Sequence, residues 1–350
     1  MLPEPTDGPA GLSVMDIVNL SEAEPAWNWL HQLVTGAEPL RWQHASTRAT
    51  AVPGWAPKPQ TWRRIGAARR AASLLGEASA LLVSHGPRMT MYGSFALAAR
   101  LRPRRHLAYA FNFTELPASA TQAAMRRAFR SVDRFVVFST MERRLYADFF
   151  DLDIDRFDML HWAVRPPVPD TGVDASLPQA YFCAIGSQGR DYRTLMAAMT
   201  LLPRITLVVV ATPSSLHDLT IPPNVIVRCN VPLPQTMAIL QRSMASIVPL
   251  QGSQVPCGHV TLVAAMHLEK ASIVSESTGI TDYVRDGING LTVPPGDPAA
   301  LARSIERLFD DAVLNVRLAS AALAFARENC TERTAVDYLQ GYLSQPGSRT

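Results

Sequence analysis

Two glycine-punctuated stretches carry the residue types needed to grip a small anion. In "GSQGRDY", Gly186 and Gly189 allow close backbone approach, and Arg190 beside them brings a guanidinium suited to phosphate oxygens. In "QGSQVPCGHVTL", the loop gives way after Gly258 to a predicted helix whose first turn is His259 to Leu262. The free amides and dipole of that turn suit a diphosphate. One anion site built from two loops is implied. Elsewhere, His85 ends the run "LLVSHG", and Asn112 and Glu115 follow the run "HLAYAF". A histidine or asparagine at a strand end serves equally as a loop cap, and Glu115 equally as a solvated helix-start acid. His259 and Glu276 carry the same two readings, ligand contact or a structural role within the loop.

These residues need a scaffold that brings strand ends together, and the hydrophobic pattern supplies one. Short β-rich runs at 15–20, 80–86, 106–113, 134–140 and 157–162 alternate with helical stretches such as "WRRIGAARRAASLLGEA", "ATQAAMRRAFRSV" and "MERRLYADFF". The proline-rich, aperiodic segment 165–178 reads as a linker. A second series follows, with strands at 181–186, 204–211, 224–232, 245–250 and 271–276 and helices between them. The chain closes with helices near 297–309, 311–329 and 331–345. Two doubly wound α/β domains place a ligand at the carboxyl ends of their parallel strands, in a cleft. The predicted organisation is a leader over 1–14, a first domain over 15–164, the linker, a second domain over 179–330, and a C-terminal helix and tail over 331–350.

Composition narrows the class. At 47% hydrophobic and 18% charged residues, the 350-residue chain is globular rather than disordered. No apolar run approaches the roughly 20 residues that span a bilayer. The N-terminus has neither a basic start nor an apolar signal core, and the four cysteines are widely separated, so a cytoplasmic protein is expected. Residues 1–165 hold 20 Lys and Arg against 15 Asp and Glu, while the remainder is slightly acidic. Clusters at Arg63/Arg64, Arg69/Arg70, Arg100–His106 and Arg126/Arg127/Arg130 are either a solvated face or a contact for lipid headgroups or a phosphorylated acceptor. A nucleic-acid partner is not expected, because those clusters lack interleaved aromatics.

The segment "AMHLEKASIVSESTGITDYVRDGINGLTVPPGDPAALARSI" resembles the C-terminal domain of retaining GT-B glycosyltransferases of the large family 4, or glycosyltransferase group 1, type. "GSQGRDYRTLMAAM" resembles their first strand–loop–helix unit, and "PPNVIVRCNVP" their base-contacting strand and turn. The likeness is good over about 180–345 and weak over 1–165. It implies a GT-B fold, with two Rossmann-like domains facing each other across a cleft, and a nucleotide-sugar donor in place of any bound cofactor. By position, Val260 and Thr261 would donate to the donor diphosphate, Gly258 and His259 would lie against its sugar, and Gly186, Ser187 and Arg190 would border the phosphates. Val231 and Pro232 would meet the base, and Glu276 is a further donor contact. Asn112 stands where many relatives place a histidine touching the donor sugar, and with His85 and Glu115 it makes up the expected catalytic set of the acceptor-side domain.

The departures are equally specific. The family pattern carries two glutamates eight positions apart, where this chain has Pro256 and Ala264. Alanine cannot accept a bond from a ribose hydroxyl, so an altered donor, replacement by Glu276 or Glu269, or lost catalysis follows. The expected activity is metal-independent transfer of a sugar to a glycan or lipid-linked acceptor in polysaccharide or glycolipid assembly, with peripheral membrane contact through the basic domain. The alternatives are a binding module without turnover, or an epimerase, for which the sequence singles out no acid/base set.

Overall fold

The computed structural model describes residues 15–24, 40–75, 80–100, 105–113, 115–172, 176–252, 257–277 and 279–344. The expected leader, Pro256 and the middle of the Arg100–His106 cluster lie outside these residues. The chain forms two compact units, one of residues 1–137, 143–158 and 336–350, the other of 138–142 and 159–335.

In the first unit, β1 (Met15–Ser21), β2 (Leu40–Ser46), β3 (Leu81–His85), β4 (Arg105–Tyr109), β5 (Arg134–Val137) and β6 (Phe157–Met159) make one sheet ordered β2-β1-β3-β4-β5-β6. The winding of the sheet reverses between β1 and β3, whose parallel register sets Leu20 against Ser84. Helices α1 (Pro59–Leu74), α2 (Pro87–Ala98) and α3 (Ser119–Phe129), with α4 (Thr140–Phe150), accompany the strands. Phe111 is the hub of an aromatic core, its ring edge-on to those of Phe129, Phe135 and Tyr146.

The second unit has β7 (Phe182–Ile185), β8 (Leu207–Ala211), β9 (Val225–Cys229), β10 (Ser246–Val248), β11 (Ser272–Ser275) and β12 (Leu291–Val293), ordered β12-β11-β10-β7-β8-β9. All its pairings are parallel. Its strands β7, β8, β10 and β11 are buried along their whole length, as strands covered on both faces must be. Helices α5 (Tyr192–Thr200), α6 (Leu233–Arg242), α7 (His259–His267), α8 (Pro298–Asp310) and α9 (Ala312–Asn329) follow, and α10 (Glu332–Ser344) ends the chain. Among the described residues no helix is long and apolar enough to cross a membrane.

The unit boundaries differ from the sequence division at 164/165. Residues 138–142 and 159–164 group with the second unit. The physical reason lies around Tyr283, whose hydroxyl donates to the Phe138 carbonyl and accepts from the Trp162 amide, both at 2.8 Å. Beside it, the Asp282 carboxylate accepts from the amide and hydroxyl of Thr140 at 2.7 and 2.8 Å. The C-terminal helix likewise divides, its residues from Val336 onward belonging to the first unit.

Candidate functional site

The second sheet reverses its winding between β7 and β10, and the loops leaving those two strands meet there. The β7 loop runs through Gly186 and Gly189, both at positive φ, to Arg190, which pairs across an isolated bridge with Leu250 in the loop after β10. Gln251 closes the junction, its amide donating to the Gly189 carbonyl at 3.1 Å and its side chain to the Arg190 carbonyl at 3.3 Å. Gly258 then starts α7 with φ +94°, and a Cβ built there would stand 3.1 Å from side-chain carbons of Val248 and Leu250. Only glycine satisfies both constraints, so the helix starts where β10 ends.

Arg190 is only 8% exposed. Its guanidinium donates to the carbonyls of Ile185 and Gln188 at 3.2 and 3.0 Å and to the Thr261 hydroxyl at 3.0 Å. Burial lowers its pKa, against the opposing pull of Tyr192 and Cys257, yet arginine stays cationic at any physiological pH. Among the described residues no carboxylate pairs with it. Three of five N–H donors are committed to neutral oxygens, leaving two and a full positive charge beside the first turn of α7. The amides of His259, Val260 and Thr261 have no acceptor within the helix. Their partial charges add to that of Arg190, and the result is an electropositive floor at the carboxyl ends of β7 and β10.

The other expected donor-site residues divide into those that line this floor and those that brace it. Val260 is exposed at the helix start, whereas the Thr261 side chain is buried against Arg190. His259 turns inward, its Nε2 donating to the Gly279 carbonyl at 3.0 Å and its ring 4.6 Å from that of Tyr283. Burial lowers its pKa, so the imidazole is neutral and braces the loop after β11. Ser187 accepts from the Thr212 amide at 2.9 Å, and beside it the Thr212 hydroxyl lies 3.1 and 3.0 Å from those of Ser214 and Ser215. Val231 packs against the apolar cluster of Ile185, Val210 and Met237, which Ala264 joins from α7. Pro232 caps the start of α6. Glu276 follows β11 as an exposed carboxylate bonded to the Thr292 hydroxyl at 3.1 Å. Glu269, offered by sequence as a replacement for a missing carboxylate, lies beyond the opposite end of α7 and bonds Ser320, so it does not approach the helix start.

Sequence reading missed the residues that hold this site from behind. Tyr192 donates its hydroxyl to the Gly186 carbonyl at 2.6 Å, and Cys257 packs on Gly189. Neither has a signature spacing, although an aromatic opening the helix after a glycine loop is a cue for Tyr192.

In the first unit, His85 ends β3 with its Nε2 2.5 Å from the Asn19 side-chain oxygen and its ring 5.7 Å from Tyr109. Burial, with His44 adding, drives its pKa down to about 3, so it is a neutral hydrogen-bonding group rather than a proton donor at neutral pH. Asn112 is exposed between Phe111 and Phe113, which are buried, and Glu115 is exposed two residues later in the loop. The paired phenylalanines fix the backbone so that the asparagine faces outward after β4. Among the described residues, no three His, Cys, Asp or Glu side chains converge as a metal-binding set.

Residues 181–311 match the family described as glycosyl transferases, group 1. That segment is the second unit's strand series from β7 to the end of α8, and it contains the electropositive floor but not His85, Asn112 or Glu115. Solved structures extend the likeness over the chain. Sucrose-phosphate synthase from Thermosynechococcus elongatus superposes with a TM-score of 0.71 at 16% identity, over 94% of this chain and 98% of that one. HepE from Anabaena, in complex with UDP and glucose, gives 0.68 at 15% identity over 95% and 99%. The lipopolysaccharide outer core galactosyltransferase WaaB in its apo form gives 0.64 at 12% identity over 93% and 99%. The chain therefore has the α/β GT-B fold that its sequence leads one to expect. No curated protein matches the sequence significantly.

Proposed function

We propose that the protein is a glycosyltransferase moving a sugar from a nucleoside-diphosphate donor to a hydroxyl acceptor with retention of configuration. The observation that carries this reading is the uncompensated Arg190 cation beside the free amides of α7, at the switch point of the sheet matched by the group 1 family. The solved HepE complex with UDP and glucose supports the donor class. The diphosphate rests on the amides of His259, Val260 and Thr261, with the backbone of Gly258 and His259 bordering the sugar and Val231, Pro232 and Ala264 forming an apolar wall for the base. As the bond from the anomeric carbon to the phosphate oxygen breaks, charge grows on the diphosphate, where Arg190 and the helix start stabilise it. The acceptor oxygen bonds to the anomeric carbon and its proton passes to the departing phosphate. A fixed cation and a helix terminus carry the charge without a metal ion. Asn112, His85 and Glu115 belong to the acceptor side, and the acceptor is a glycan or lipid-linked sugar of polysaccharide or glycolipid assembly.

A second reading, a nucleotide-sugar-binding module without turnover, is favoured by one observation. Ala264 packs into the apolar cluster where the family pattern has a carboxylate. Calorimetric titration with UDP, GDP, ADP and dTDP and their glucose conjugates, with magnesium or with a chelator, tests both. We expect saturable binding for one base, unchanged by chelation and weakened about tenfold to a hundredfold in Arg190→Ala. No binding of any of them by the folded protein, or full affinity in the variant, would overturn the proposal, and binding without sugar release would select the second reading.

A further inference from the structure

We propose that residues 53–73 of the first unit form a docking surface for an anionic lipid bilayer. The stretch from Arg41 to Leu75 contains seven cations, Arg41, Arg48, Lys58, Arg63, Arg64, Arg69 and Arg70, and no Asp or Glu. Three are neutralised from outside the stretch, Arg41 by Asp16, Arg48 by Glu24 and Arg64 by Glu22. Lys58, Arg63, Arg69 and Arg70 are exposed and make no ion pair among the described residues.

Helical geometry gathers these charges. At about 100° per residue, Trp62, Arg63, Arg69, Arg70 and Ser73 share an arc of roughly 120° on α1. The opposite arc carries the buried Ala67, Ala68, Ala71 and Ala72. Trp62 on the outer arc is 47% exposed. Just before the helix, the Ala56 amide bonds the Pro53 carbonyl at 3.0 Å, a tight turn that projects Trp55 outward at 81% exposure. The loop is seated by Thr50, whose methyl would stand 2.6 Å from a Cβ on Gly66, so only glycine lets loop and helix approach this closely.

Two tryptophans beside four unpaired cations, on a helix whose other face is in the core, match the chemistry of a bilayer interface. Tryptophan settles at headgroup depth, and arginine and lysine meet anionic headgroups there. Nucleic acid would use the same charges, but no basic residue in this stretch is matched to a groove-reading element, and the tryptophans stand at the tip of a turn and at the first turn of the helix rather than along a strand-binding platform.

None of these residues belongs to the donor site, so the proposal stands or falls apart from the transfer reaction. Flotation of the full chain with vesicles of phosphatidylcholine alone, and of equal parts phosphatidylcholine and phosphatidylglycerol, is the test. We expect binding to the mixed vesicles only, falling as salt rises and by about fivefold for each of Arg63→Gln, Arg69→Gln and Arg70→Gln. Trp55→Ala and Trp62→Ala should weaken it further, while Arg127→Gln on another helix leaves it intact. All these side chains are exposed, and matching circular dichroism and melting curves would establish that the variants fold. Brominated lipid should quench wild-type emission more than that of the Trp55→Phe/Trp62→Phe variant. Absence of binding to mixed vesicles, equal binding by the triple arginine variant, or displacement of vesicles by duplex DNA at matched charge would overturn the proposal.

Discussion

His85 ends β3, Arg190 lies in the loop after β7 and His259 opens α7, and burial gives each a different task. Arg190 retains its charge because three neutral oxygens solvate it, and its spare donors are directed by Thr261. Thr261→Val keeps the shape and removes that acceptor, so we expect donor affinity to fall several-fold with little loss of stability, measured by titration and melting together. Gly258→Ala must adopt φ +94° and crowd Val248 and Leu250, and a loss of about 1–3 kcal/mol in denaturant unfolding is expected. His85 contributes a pH dependence of known sign. Its folded pKa of about 3 lies below the unfolded value near 6.5, so its stabilisation is complete above pH 6.5 and is lost as pH falls toward 3. Melting curves across that range should show a shallower acid limb in His85→Gln than in the wild type. The sequence made the glycine loops and Arg190 legible because glycine and a flanking cation have few alternative explanations. It could not reveal that His259 turns inward, since that depends on the Gly279 carbonyl and the Tyr283 ring, twenty and more residues away.

At the scale of elements, the stretch "DGINGLTVPPGD", part of the segment that carries the family resemblance, does architectural work. Asp286 accepts from the Thr292 amide at 2.8 Å, and Asn289 spans the turn by accepting from the Arg285 amide at 2.7 Å and donating to the Tyr283 carbonyl at 2.9 Å. Asp297 caps α8 through the Ala300 amide at 2.9 Å, with Pro298 in the first turn. The turn thereby anchors Tyr283, which in turn supports His259. Asn289→Ala removes two bonds from a buried side chain and should cost about 2 kcal/mol, whereas Asp297→Ala loses one cap and should cost about 1 kcal/mol. Chemical denaturation of both variants checks the ratio. Three elements escaped sequence reading, and each for a reason. Strand β2 is an edge strand whose apolar-polar alternation runs only from Leu40 to Gln43 before His44 interrupts it, and its place is set by register with β1. Helix α2 carries Gly93 in its interior, where glycine lowers helix propensity. Strand β12 has three residues, too few for any period.

At the scale of the molecule, alternating strands and helices made two doubly wound units legible, but not which short segments belong to which. The unit boundaries follow hydrogen bonds rather than composition. The last helix illustrates this, because Val336, Leu339 and Tyr342 are buried in the first unit, Tyr338 donates to Asp158 at 2.7 Å, and Arg105 bonds the Tyr342 carbonyl at 2.7 Å. Deleting residues 336–350 should therefore speed amide exchange in β4 and β6 while β7 and β8 keep their protection, a pattern that hydrogen-exchange mass spectrometry reads directly. The electropositive floor between β7 and β10 is tested by the release of free nucleoside diphosphate from UDP-, GDP-, ADP- and dTDP-sugars by the purified protein and by Arg190→Ala. Saturable release from one donor, inhibited by its own diphosphate and lost in the variant, is the predicted result. Absence of release from all four by the folded protein, or release that Arg190→Ala leaves unchanged, would contradict it.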